Sequence, residues 1–71
     1  MNNNFSFRRG WLQLRSMDMP SVKEKIQRQL AVGDASFYKR LRGEVEPKVT
    51  EAEAIERIFA EYGIKDVWGN A

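Results

Sequence analysis

From Ser36 to Arg42 the chain reads SFYKRLR, and the polar side chains in that run are of the kinds that contact nucleic acid: a serine hydroxyl, a tyrosine and three cations, Lys39, Arg40 and Arg42. Ammonium and guanidinium groups grip phosphate oxygens and also read guanine edges. Seven glutamates and three aspartates offer a second chemistry, acid–base or metal binding, densest at Glu51, Glu53 and Glu56. The chain contains neither histidine nor cysteine. That removes the commonest general base, thiolate metal sites and disulfides. The three glutamates open a helical run, where the helix dipole favours negative charge, and no nucleophile or phosphate loop accompanies them. The expectation is a protein that is not an enzyme and takes no metal or cofactor.

The SFYKRLR run must be positioned by the elements around it. Over Val22 to Gly43, VKEKIQRQLAVGDASFYKRLRG, apolar residues fall only where two short helices would touch. Ile26 and Leu30 share one face of a first helix, Phe37 and Leu41 one face of a second, and Val32 lies in the turn. Gly33 and Asp34 break the first helix and offer an N-cap for the second, expected from Ala35 to Arg42. Ser36, Lys39, Arg40 and Arg42 then point outward, flanked by Tyr38. Ser21 with Glu24 makes a capping box for the first of these helices, after a stop at Pro20 that disfavours helix for Met19.

These residues resemble the helix-turn-helix of Cro/repressor-type (lambda-repressor-like) DNA-binding domains, of the phage and mobile-element regulator kind whose second helix reads S-F-Y-x-[RK]-[IL]-x-G. Ser36, Phe37, Tyr38, Arg40, Leu41 and Gly43 carry that pattern. Pro47, an amphipathic run from Thr50 to Tyr62, then Gly63 and Ile64 continue the similarity, which covers roughly Trp11 to Ile64. Two positions depart from the family. Gln27 stands where a small residue is usual at the helix crossing, and Ala31 replaces the usual turn glycine, with Gly33 two positions later. A looser or shifted turn follows. The resemblance implies double-stranded DNA as the partner. It implies that Asp34, Ala35, Ser36, Lys39 and Arg42 face the major groove, Lys39 toward guanine and Ala35 toward a thymine methyl. Asp34 either accepts from cytosine or caps the helix. Ser21, Lys23 and Lys48 are candidates for phosphate contact, and Tyr38 and Arg40 for backbone clamps.

Charge is distributed unevenly. Nine basic residues face three acidic ones from Met1 to Arg42, a net of +6, whereas three face seven from Gly43 onward, a net of −4. A basic face toward a polyanion and an acidic face turned away from it would give this pattern.

Seventy-one residues make a single domain near the lower size limit for independent stability. The expected fold is all-α, a compact bundle of four short helices containing a helix-turn-helix, with a fifth terminal turn allowed by KDVWGNA. Residues 1–7 read as a flexible tail and 8–71 as the domain. A first helix from about Arg8 has Trp11 and Leu14 inward and Met17 at its end, weakened by Gly10 by about 1 kcal/mol. Gly43 suits a left-handed helix end. In the last helix Thr50 with Glu53 forms a capping box, Val49 with Ala54 a hydrophobic staple, and Ile55, Ile58, Phe59 and Tyr62 the core face.

Phe5 and Phe7 either cover the core or meet a partner, and Trp68 either folds over the last helix or inserts between subunits. A homodimer through Phe5, Phe7, Val67 and Trp68 is thereby allowed. The rival function is a protein-interaction module, antitoxin-like or a phage accessory, using Phe5, Phe7, Val45 and Trp68. No stretch is apolar enough to span a membrane or to form a signal-peptide core, so a cytoplasmic bacterial or phage protein is expected.

Overall fold

Among the described residues there is no strand, and the chain folds around one aromatic residue, Phe37, which has no exposed surface. In the computed structural model, which describes residues 5–69, the elements are α1 (Arg8–Trp11), a 3-10 turn (Ser16–Asp18), α2 (Met19–Leu30), α3 (Asp34–Leu41) and α4 (Val49–Ala60). The all-α bundle of four short helices is therefore as expected.

Helix α2 lays Val22 and Ile26 against α4, whose buried side carries Ala54, Ile55, Ile58 and Phe59. Both faces follow the i, i+3/i+4 spacing of an amphipathic helix. Into the gap between them α3 inserts Phe37 and Leu41. Phe7 and Trp11 meet the Phe37 ring edge-on, with centroids 5.7 and 5.4 Å away, and Phe59 lies 6.1 Å from Phe7. Such edge-to-face pairs add about 0.5–1.5 kcal/mol each beyond the burial of their area. Phe7 is 1 % exposed and Ser6 fully buried, so the domain reaches back at least to Ser6. A flexible tail through residue 7 is thus corrected, while residues 1–4 lie outside the described residues.

Helix α1 has only four residues, too few to stand alone. Its leading amides, which have no intrahelical partner, are taken by other segments. Arg8 N–H donates to Ser6 Oγ at 3.1 Å, Arg9 N–H to the Gly69 carbonyl and Gly10 N–H to the Val67 carbonyl, both at 3.0 Å. The C-terminal segment thus runs as irregular chain along α1 instead of forming the terminal helical turn. Gly10 is needed for that approach, since a Cβ there would lie 3.0 Å from Val67 Cα. Past Trp11 the chain turns, so the longer first helix is not formed, and Met17 is 76 % exposed, not the inward end of an apolar face.

Helix ends also differ from the expected caps. α2 begins at Met19 with Asp18 at its N-cap and Pro20 in its first turn, where the missing N–H costs nothing. Ser21 is already inside the helix, so the Ser21/Glu24 capping box does not form. α4 begins at Val49, and the reciprocal bond of its cap comes from Glu51, which accepts the Lys48 N–H at 3.0 Å. Thr50/Glu53 is displaced by two residues, and Val49, 75 % exposed, makes no staple.

Three helices close with one geometry: a left-handed residue, followed by an N–H reaching five residues back. At α2 the left-handed residue is Ala31 (φ 56°), and Val32 N–H bonds the Gln27 carbonyl. Gly43 (φ 82°) and Gly63 (φ 76°) do the same for α3 and α4, with Glu44 N–H to Lys39 and Ile64 N–H to Phe59. These are Schellman closures. Ala31 therefore adopts the turn geometry itself, and the turn is not shifted to Gly33, which instead sits in extended backbone as the α3 N-cap.

Candidate nucleic-acid interface

Because α3 buries Phe37 and Leu41, the positions half a turn away must face outward. Ala35, Lys39 and Arg42, spaced i, i+4, i+7, lie on that outward side and are exposed, with Ser36 and Tyr38 exposed beside them. Lys39 makes no ion pair among the described residues. Arg42 Nε donates to Glu44 at 2.5 Å across an exposed pair, each side chain about half accessible. Exposed pairs contribute roughly 0–1 kcal/mol, so Arg42 can exchange Glu44 for another anion at small cost.

Arg40 belongs to a different category. Its guanidinium donates to Glu51 at 3.0 Å, with both side chains largely shielded (17 and 22 % exposed). It ties α3 to the first turn of α4, which corrects the assignment of Arg40 as a backbone clamp. The Lys48 N–H, and next the Arg40 guanidinium, hold the Glu51 carboxyl below its ordinary value. Glu51 is thereby turned inward and occupied, whereas Glu53 and Glu56 are exposed, so the three glutamates do not converge.

A polar network fixes the N-terminal end of α3. Gln27 of α2 donates its side-chain amide to the Asp34 carboxylate at 2.7 Å, and Lys23 lies 3.4 Å from the same group. The Gln27 bond, then the Lys23 charge, hold Asp34 below its ordinary value. Lys23 also reaches the Tyr38 hydroxyl at 3.4 Å and sits 4.9 Å over its ring. That hydroxyl, ahead of Asp34, pushes the Lys23 ammonium above its usual value. Asp34 is thus a bridge between helices rather than a cap, and Lys23 supports Tyr38 rather than standing free.

Ser21 and Lys48 are exposed, as a phosphate contact requires. Of the dimer candidates, Phe7 and Val67 are core residues, 1 and 2 % exposed, so neither can anchor a partner. Trp68 folds over α4, its Nε1–H donating to Glu56 at 2.6 Å and its ring edge-on to Phe7 at 6.4 Å. Phe5 is exposed.

Two positioning residues escape notice in the sequence. Gln27 signals itself only as a large residue at a helix crossing. Ser6 carries no signal, yet its hydroxyl donates to the Leu41 carbonyl at 2.6 Å, satisfying the end of α3. Among the described residues no helix is long and apolar enough to cross a membrane. No family model, curated protein or solved structure matches this chain.

Proposed function

We propose that the protein binds double-stranded DNA sequence-specifically through α2, its turn and α3, acting as a small bacterial or phage transcriptional regulator. The observation that carries this reading is the outward stripe of α3, Ala35, Lys39 and Arg42, opposite the buried Phe37 and Leu41. A helix anchored on one side and bearing cations on the other is what the major groove admits. In this reading Lys39 donates to guanine O6 and N7, Ala35 meets a thymine methyl, and Ser36 and Arg42 lie at the flanks. Ser21 and Lys48 contact phosphates. Gln27, Asp34 and Lys23 keep the helix aimed. The acidic outer side of α4 stays away from the duplex. So small a reading surface suits a symmetric dimer on a palindromic site.

The test is titration of random-sequence duplex at two salt concentrations, wild type beside Lys39→Glu. Binding should weaken steeply with salt, each phosphate contact contributing about 0.9 to the slope, and Lys39→Glu should lose it while keeping wild-type circular dichroism. No binding at low salt by folded protein overturns the reading and leaves a protein-interaction module, antitoxin-like or a phage accessory.

A further inference from the structure

On the outer side of α4 an open groove of about 500 Å³ has an apolar floor formed by Phe5, Pro47, Val49, Ala52 and Trp68. The volume lies within the range of small-ligand and peptide-anchor sites. Its parts come from three places: the exposed face of α4, the connection after α3, and the two ends of the described chain. Phe5 and Val49 are 41 and 75 % exposed, an arrangement that leaves apolar area in water unless something covers it. Its rim is formed by Glu46, Glu53 and Glu56, the last holding Trp68 in place through the indole N–H. Among the described residues none of the three makes an ion pair, and Arg40 and Arg42 of α3 are paired with Glu51 and Glu44 instead.

The charge decides the occupant. A symmetric dimer through this face would use the same patch on both copies and bring six rim carboxylates together. Nucleic acid is repelled for the same reason. An apolar small molecule would leave the three carboxylates without a counter-charge. We infer that the groove docks a short peptide segment of a partner protein, with an apolar anchor side chain on the floor and lysine or arginine on either side facing Glu46 and Glu53. The inference does not rest on DNA binding: the groove residues lie outside α2 and α3, and of the residues assigned to DNA Lys48, between Pro47 and Val49, adjoins them.

The experiment uses the full chain, labelled with nitrogen-15, titrated with a synthetic decapeptide of alternating leucine and lysine around one tryptophan. A counterpart with glutamate in place of lysine is titrated in parallel. The basic peptide should saturate and shift the amides of Ala52, Glu53 and Glu56 and the Trp68 indole N–H, leaving Ser36, Lys39 and Arg42 unmoved. The acidic peptide should do nothing. Glu53→Lys, an exposed change that leaves the fold intact, should weaken binding about tenfold, and Ala52→Arg should abolish it. Shifts spread over the whole surface, unchanged affinity in Glu53→Lys, or groove shifts that appear on raising protein concentration alone would each overturn the inference. The last would identify a second copy as the occupant. Shifts of Ala52, Glu53, Glu56 and the Trp68 indole N–H on adding duplex DNA would overturn it too, whereas shifts confined to Lys48 and Val49, or loss of DNA binding in Lys39→Glu, would leave it untouched.

Discussion

Gln27 and Asp34 face each other across the turn between α2 and α3, amide nitrogen to carboxylate oxygen at 2.7 Å. With Lys23, which lies 3.4 Å from the same carboxylate, the bond sets the approach of the N-terminal end of α3 to α2. Because Gln27 is the main cause of the lowered Asp34 pKa, Gln27→Ala should move the Asp34 titration back up toward its ordinary value. Carboxyl-carbon chemical shifts against pH measure this directly, and an unmoved titration would mean that Lys23 alone holds the group.

Acid should loosen the contacts of α3 with both α4 and α2, made through Glu51 and Asp34. Glu51 and Asp34 both carry lowered pKa values in the folded chain. Between folded and unfolded values the unfolded chain binds more protons, so stability rises with pH there. It is fully present above their ordinary values of 4.5 and 3.8 and is lost as pH falls through the folded ones. Urea midpoints at pH 7, 5 and 3 should therefore drop on the last step, and Glu51→Gln should flatten that drop.

Ala31 and Gly43 should respond oppositely to exchanging alanine and glycine. Ala31 holds a left-handed conformation with a Cβ, at roughly 1–2 kcal/mol. Ala31→Gly should raise stability by about 1 kcal/mol after the greater entropy of the unfolded glycine is subtracted, or about 4–8 °C in Tm for a domain this size. At Gly43 a Cβ would be both left-handed and 2.9 Å from the Ser6 backbone nitrogen. Gly43→Ala should destabilise by at least about 2 kcal/mol. Thermal melts followed by circular dichroism separate the two.

Phe5 and Phe7, two residues apart, should differ most of all. Phe7→Ala empties a fully packed position at about 3–5 kcal/mol, comparable with the whole stability of so small a domain, and should unfold it. Phe5→Ala should leave the melting curve nearly unchanged. A folded Phe7→Ala would place the centre of the core elsewhere.

The periodicity of Ile26, Leu30, Phe37, Leu41, Ile55, Ile58 and Phe59 is local, since side chains three or four apart on a helix share a face whatever the rest of the chain does. The all-α class, the α2–turn–α3 pair, the core face of α4 and the left-handed end at Gly43 were legible for that reason. The exposed Ser36, Lys39 and Arg42 follow from the burial of Phe37 and Leu41 and were legible with them, whereas Ala35 came only from the family resemblance and Arg40, read as outward, is largely shielded. Caps were less so, because several polar residues near a helix start compete for one position, and Asp18 and Lys48 hold it here instead of Ser21 and Thr50.

What tertiary structure alone decided are the partners of long side chains and of orphan backbone groups. Arg40 looks as free as Lys39 in the sequence, and only the approach of α4 places Glu51 3.0 Å away. Ser6, Phe7 and Val67 sit near the chain ends, where no periodic pattern surrounds them, yet they are buried because the carbonyls of the C-terminal segment accept hydrogen bonds from the amides of α1. That pairing joins residues nearly sixty positions apart. The reason is general: a helix face is set by neighbours three and four residues away, while a buried end requires a surface that exists only once the helices have packed.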